Sequence, residues 1–275
     1  MKKIPRKKWL WKLLNLIRND RCLSYSPHYF WTREENILHL AEEIGKDLNS
    51  WKVKIKVPRY AYFCERIPEY SWVTSRITAL PKGGMALDVG CVMNTEIMLD
   101  ILLQKYQEMH FLNLVSEPLA RHGRISYHSQ DIRKCTLLPH SYDLITSIST
   151  LEHVGGDNSY NEFSPNGTAE ITKAVMQPDW EKGLKSCLNL LAPTGTMLVS
   201  LPFDRGQWKE GAYQLSYNDL TKIDQICAEA GKEVKVMLMG NSPQGWIEFQ
   251  DRIEFDRYSF SNAPGANRVV LIEIH

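Results

Sequence analysis

From Met85 onward the chain alternates short apolar runs with longer amphipathic ones. Runs at 85–90, 111–117, 124–129, 142–149, 196–202, 233–239 and 268–274 predict strands. Stretches near 95–107, 179–191 and 217–230 predict helices. Strands alternating with helices in this way predict an α/β architecture, a doubly wound and mostly parallel sheet of seven strands covered on both faces. Ligands of such sheets bind at the carboxyl ends of the strands, near the switch point. The turns after Asp88, Glu117, Asp131, Thr150 and Pro202 are therefore where chemistry is expected.

Upstream, residues 21–80 read as a helical cover region. "WTREENILHLAEEIGKDL" has a Thr N-cap, acids in its first turn and Ile37, Leu40, Ala41 and Ile44 at helical spacing. "WKVKIKV" alternates apolar and charged residues like a half-exposed strand and stops at Pro58. "YFCERIPEYSWVTSRITAL" leads into the core, and "PKGG" (81–84) punctuates the entry to the 81–275 domain. In residues 1–20, Trp9, Leu13, Leu16 and Ile17 share one helical face while Lys8, Lys12, Asn15 and Asn19 share another. This basic amphipathic helix is too short and too interrupted for the ~20 apolar residues of a membrane span. Its two readings are an interfacial anchor on anionic lipid and a helix that packs on the body or on a partner.

Charge sharpens the division. Residues 1–20 hold five Lys and two Arg against Asp20, so they carry +6 while the remainder carries −5 of a net +1. The body has no basic excess with which to neutralise a nucleic-acid backbone, which excludes nucleic acid as its partner. Cys22, Cys64, Cys91, Cys135, Cys187 and Cys227 lie far apart with no CxxC pair, so neither a disulfide framework nor a thiolate zinc site is indicated and a reducing cytoplasm is expected. No HxE, HxH or carboxylate cluster calls for a metal.

The stretch "LDVGCVMNT" (87–95) constrains the cofactor. A dinucleotide loop needs a second glycine two residues after Gly90 so that the backbone can approach the pyrophosphate, and that position is Val92. The phosphate-loop signature GxxxxGK[ST] is absent as well. A cofactor without phosphates makes no such demand.

"ALDVGC" (86–91), "YHSQDI" (127–132), "HSYDLITSISTLEHVG" (140–155) and "CLNLLAPTGTMLVSLPF" (187–203) come in the order and spacing of the class I S-adenosylmethionine-dependent methyltransferases. Over roughly residues 60–275 the chain most resembles bacterial members associated with surface polysaccharide and other glycan biosynthesis, such as O-antigen or capsule. A segment like "ERIPEYSWV" precedes their first strand, and a pattern like "STLEHVG" closes their fourth. The resemblance implies a Rossmann-like methyltransferase fold that binds S-adenosylmethionine. It places Asp88, Gly90, Cys91 and Asn94 in the loop beneath the methionine part of the cofactor. It assigns Glu117 to the ribose hydroxyls, Asp131 to the adenine amino group with Ile132 against the ring, and Ser149 and Thr150 to the strand end beside the methyl. The chain departs from the family at Val92 and Asn94, where loop glycines are usual, although Asn tolerates a left-handed backbone better than most residues. Taken alone, Asp88 and Asp131 have a second reading as helix caps, and Cys91 one as a small buried residue.

Methyl transfer is an in-line displacement at a sulfonium, so positioning supplies much of the rate. A hydroxyl acceptor also needs a base. His153 is the first candidate, with Glu152, Asp157 and Asp204 as substitutes; His153 could equally close a strand end by a hydrogen bond. The long polar connection "GGDNSYNEFSPNGTAEITKAVMQPDW", with "FDRGQW" (203–208), Tyr213 and "GNSPQGW" (240–246), offers aromatic faces beside polar groups, as a saccharide requires. The sequence thus predicts a cytoplasmic O-methyltransferase of a lipid-linked glycan or nucleotide sugar. It would lie peripherally at the inner membrane face, with residues 1–20 meeting anionic lipid or a glycosyltransferase. The alternatives are a methyltransferase of a small molecule or amine, and a non-catalytic module of the same fold that binds a glycan-synthesis partner.

Overall fold

The structure is a computed structural model that describes residues 65–114, 123–156, 177–209, 211–242, 245–259 and 266–275. The predicted N-terminal helix, the helix and strand placed before residue 65, Glu117, Asp157 and most of the 155–180 connection lie outside the described residues. The helices are α1 (Arg66–Ala79), α2 (Glu96–Lys105), α3 (Trp180–Leu190), α4 (Tyr217–Glu229) and α5 (Arg252–Arg257). The strands are β1 (Gly83–Val89), β2 (Tyr106–Asn113), β3 (Ile125–Ser129), β4 (Tyr142–Ile148), β5 (Leu191–Pro202), β6 (Gln207–Lys209), β7 (Ala212–Gln214), β8 (Val234–Ser242), β9 (Gly245–Phe249) and β10 (Arg268–Ile274).

The main sheet has eight strands in the order β3-β2-β1-β4-β5-β10-β8-β9. β1 to β5 pair in parallel, and β10 enters antiparallel between β5 and β8. This is a doubly wound, Rossmann-like arrangement, with its switch point where β1 pairs with both β2 and β4. The seven-strand expectation missed β9, an edge strand antiparallel to β8 whose "GWIEF" is short and follows a turn, and the separate hairpin β6–β7.

Successive residues on the central strands point to opposite layers, as the pleat requires. Leu87, Val89 and Ile145 join Trp180, Leu184, Leu220 and Ile223 in the core under α3 and α4. Ala86, Leu144 and Ile148 join Ile67, Trp72, Ile77 and Leu102 under α1 and α2. Each fully buried side chain of this size stabilises the fold by roughly 1.5–3 kcal/mol.

β2 begins and ends earlier than its apolar run predicted. α2 stops at Tyr106, whose backbone turns extended (φ −117°, ψ 145°) and whose ring is buried. Its register with β1 then runs to Val89↔Leu112, and Asn113 Oδ1 accepts the Leu114 N–H to turn the chain out of the sheet. Among the described residues the second strand ends at Asn113. Among the described residues no helix is long and apolar enough to cross a membrane.

Candidate functional site

The turn after β1 is held by the strand's own carboxylate. Asp88 is fully buried; its Oδ2 accepts the Met93 N–H at 2.8 Å and its Oδ1 accepts the Thr146 hydroxyl of β4 at 2.6 Å. It organises the loop from below. Gly90 adopts φ +101°, and a Cβ there would stand 2.1 Å from Thr150 Oγ1, so only glycine fits where the loop meets the end of β4. The left-handed non-glycine residue is Cys91 (φ 55°), not Asn94, so the expectation that Asn94 rescues the turn is corrected. Cys91 is buried, and Val92 packs partly buried against the α1 core while its carbonyl accepts the Tyr70 hydroxyl at 3.1 Å. Asn94 Oδ1 accepts from the Tyr127 hydroxyl at 3.4 Å.

Four amides of this loop are already used. Gly90 N–H goes to Leu112 O, Met93 N–H to Asp88, Asn94 N–H to Cys91 O and Thr95 N–H to Met93 O. Thr95 caps α2 by accepting from Met98 N–H. A phosphate-binding loop presents such groups to its ligand, whereas here they close the turn on itself.

Beyond β3, Asp131 caps the 3-10 turn Ile132–Lys134 and accepts from the Arg133 guanidinium at 2.6–3.0 Å. That hydrogen bond is the main reason its pKa lies below the ordinary carboxylate value. Arg133 also binds Asp179 at 3.0 Å, which ties this turn to the start of α3. Ile132 is buried in the core under α3.

The carboxyl ends of β4 and β5 carry a buried polar cluster whose other half comes from α1. Ser149, left-handed at φ 41°, donates its hydroxyl to Glu69 Oε1, as Ser200 does at 2.7 Å, and Ser149 N–H donates to Ser200 Oγ at 3.0 Å. Arg66 binds Glu69 Oε2 at 3.2 Å. Burial opposes the charge of Arg66, but Glu69, Tyr70, Glu152 and Glu65 together raise its pKa. Glu152 follows β4 in a 3-10 turn with only 3% exposure, and its Oε2 has no hydrogen-bond partner among the described residues. Burial pushes its pKa up to about 8, with Glu69 and Glu65 adding to the rise against the pull of Arg66. Burial and Glu69 likewise raise Glu65 to about 7.

His153 stands beside this cluster, half exposed, with Nε2 3.9 Å from Glu152 Oε1. Its Nδ1 is 2.8 Å from the Gly211 carbonyl in the turn of the β6–β7 hairpin. A carbonyl only accepts, so neutral His153 carries its proton on Nδ1 and a lone pair on Nε2. Burial first, then Arg66, hold its pKa below the usual histidine value. Asp204 belongs to another group. Its Oδ1 is bound to Arg268 at 2.7 Å and its Oδ2 to Gln207 at 3.0 Å, so both oxygens are engaged away from the end of β4.

The structure thus brings Asp88, Gly90 and Thr150 together, and Ser149, Glu152 and His153 beside them. Sequence reasoning missed Glu65, Arg66, Glu69, Tyr70 and Ser200. The available signal was Arg66, Glu69 and Tyr70 at i, i+3 and i+4, polar groups on one face of a helix that is otherwise nearly all buried.

No protein-family model matches the chain, and no curated protein matches it. Solved structures do. One is phosphoethanolamine N-methyltransferase 2 of Haemonchus contortus, in complex with phosphomonomethylethanolamine and S-adenosylhomocysteine. The match has 17% identity and a TM-score of 0.44, and covers 62% of this chain and 38% of that one. A second is the 1,6-didemethyltoxoflavin-N1-methyltransferase of Burkholderia thailandensis, bound to 1,6-didemethyltoxoflavin and S-adenosylhomocysteine, at 13% identity and TM-score 0.46, covering 93% and 92%. A third is a S-adenosylmethionine-dependent methyltransferase assignment from Listeria monocytogenes, at 13% identity and TM-score 0.45, covering 74% and 94%. This chain spans about half the length of the Haemonchus enzyme or less.

Proposed function

We propose that this chain is an S-adenosylmethionine-dependent methyltransferase. The observation that carries the reading is the turn after β1. It is closed by its own carboxylate, and the Gly90, Met93, Asn94 and Thr95 amides are spent within the fold, so it offers a nucleoside cofactor a shaped surface more than a phosphate cradle. The residues present suit a sulfonium cofactor. Gly90 to Asn94 would lie under its methionine part, and the Glu69 and Glu152 carboxyls stand beside Arg66 at the end of β4. Asn113 ends β2, where a ribose is bound in the family the sequence resembles, and Asp131 and Ile132 follow β3, on the adenine side. The cofactor supplies an electrophilic methyl group; the protein's part is to hold an acceptor in line with it and to receive the acceptor's proton.

His153 Nε2 is placed to receive that proton, since the Gly211 carbonyl fixes its tautomer. Trp208 and Tyr213 of the β6–β7 hairpin stack edge to face 5.8 Å apart on the same side, and Trp208 stands over Gly156. Aromatic faces beside a base suit a saccharide hydroxyl, so the reading is O-methylation of a glycan or nucleotide sugar. A second reading is an amine acceptor, whose cation the neighbouring carboxyls of Glu65 and Glu152 could meet once ionised. Placement in the cytoplasm at the inner membrane face, through the basic residues 1–20, is part of the proposal.

The test is calorimetric titration with S-adenosylmethionine and S-adenosylhomocysteine, with NAD as control, on the native chain and on Gly90→Ala. Micromolar binding of the first two is expected, lost in Gly90→Ala, whose melting temperature falls as well because a Cβ at φ +101° runs into Thr150. A native chain that binds neither sulfur compound overturns the reading; binding of NAD in their place makes it a dinucleotide site, and binding of none leaves a non-catalytic module.

A further inference from the structure

A second cleft opens past the end of β5, and nothing above uses it. Its volume is about 730 Å³, and its walls are the turn after β5, the β6–β7 hairpin, the first turn of α4 and the end of α5. Four cations line it, Arg205, Lys209, Arg257 and Arg268, against two acids, Asp204 and Asp256, a surplus of two positive charges.

The cations divide by role. Arg268 is structural: it is buried, donates to the Phe255 and Asp256 carbonyls, pairs with Asp204 and lies over the Phe203 ring at 5.0 Å. With Arg268 and Asp204 paired, Arg205, Lys209 and Arg257 face only Asp256. None of the three has an ion-pair partner among the described residues, and all three are exposed at the rim. Burial lowers the pKa of Arg268 against the pull of Asp204 and Asp256, and the nearness of Arg205 adds to the lowering.

The backbone adds to the same field. α4 starts at Tyr217 after the Ser216–Asp219 capping box, which satisfies the Ser216 and Asp219 amides. The amides of its first helical positions, Tyr217 and Asn218, have no acceptor within the helix, and both residues line the cleft. Tyr217, 39% exposed, offers a flat face at the same edge. Unpaired guanidinium and ammonium groups converging with a helix N-terminus are suited to a dianion with several acceptor oxygens.

We infer that this cleft binds the phosphate or pyrophosphate group of the acceptor. The inference rests on the proposed methyl transfer for its purpose, and the hairpin supplies the link. Gln207, Lys209 and Gln214 line the cleft from β6 and β7, while Gly211 between those strands holds His153. A leucine-anchored clamp fixes the hairpin on β5, since Leu215 N–H donates to Pro202 O and Asp204 N–H to Leu215 O. A phosphate ester seated here extends its remaining portion over a rigid hairpin toward the base.

Inorganic pyrophosphate is titrated into the full chain by calorimetry at low and at raised salt, beside a Lys209→Glu, Arg257→Glu double variant. Saturable binding that weakens with salt and falls roughly tenfold or more in the double variant, with S-adenosylmethionine affinity unchanged, is expected. UDP-glucose and farnesyl diphosphate then distinguish the source: the one that binds more tightly than pyrophosphate identifies a nucleotide-linked or a lipid-linked acceptor. No saturable pyrophosphate binding, or equal binding by the double variant, overturns the inference. Pyrophosphate binding without S-adenosylmethionine binding leaves the cleft standing and refutes the proposed function instead.

Discussion

Glu152→Gln tests whether the end of β4 holds a protonated carboxylic acid. Burial raises its pKa to about 8 from an ordinary value near 4.5, so the folded chain binds this proton more tightly than the unfolded one. Stability is then full below the unfolded value and falls as pH rises between the two, levelling above the folded value. Between about pH 5 and about pH 7 the unfolded carboxyl is mostly ionised while the folded one stays mostly protonated. At ~1.4 kcal/mol per pH unit this costs the native state roughly 2–3 kcal/mol. Glu65, raised to about 7, titrates in the same window, so the native profile alone does not isolate Glu152. Gln mimics the neutral acid and does not titrate, so the difference between variant and native chain does. Urea unfolding followed by circular dichroism at the two pH values is the assay. The two proteins should match near pH 5, and the variant should be more stable near pH 7 by that amount, or roughly 4–12 °C in melting temperature. Parallel loss of stability in both would refute the reasoning, because Glu152 would then ionise in the fold like an exposed carboxyl.

Asp88→Ala leaves the Met93 N–H and the Thr146 hydroxyl without their buried acceptor, and should cost roughly 2–4 kcal/mol in urea unfolding. Tyr70→Phe removes the hydrogen bond to the Val92 carbonyl and should cost about 1 kcal/mol, read as stability and as weaker S-adenosylmethionine binding together. His153→Gln should lower kcat by roughly a hundredfold or more on a hydroxyl acceptor while leaving cofactor affinity intact, a split that stopped-assay kinetics with calorimetry resolves.

The parts of this molecule that follow a period were readable. β1, β4, β5 and β10 are apolar on both faces because both faces are covered, and their runs stand out in the sequence. Boundaries set by a single turn were not: the extended backbone at Tyr106 moves β2 back to end at Asn113, and no pattern of apolar residues records it. Asp88, Gly90, Thr150 and His153 were legible because a strand, a turn and a strand end place them in fixed order. Glu69 and Ser200 were not, since each is one polar residue in an apolar stretch and they are far apart in the chain. The partner of a buried polar side chain is decided by packing, which local pattern does not encode.

The β1 turn shows how the fold accommodates a valine where related loops carry glycine. A glycine is demanded where the backbone must turn left or approach another group, and here both demands fall on Gly90, hard against Thr150. The second left-handed position falls on Cys91, one residue before Val92 and three before Asn94. Val92 is thereby released from any conformational requirement, and its carbonyl and side chain are turned to α1 through Tyr70 and the apolar core. The segment before the sheet fastens the β1 turn through Tyr70, and through Glu69 it fastens the ends of β4 and β5. One helical turn, Arg66 to Tyr70, therefore closes the loop and charges the site. Disturbance of α1 should accordingly weaken cofactor binding and shift the titration of Glu152 together, whereas substitutions in the cleft beyond β5 should change neither.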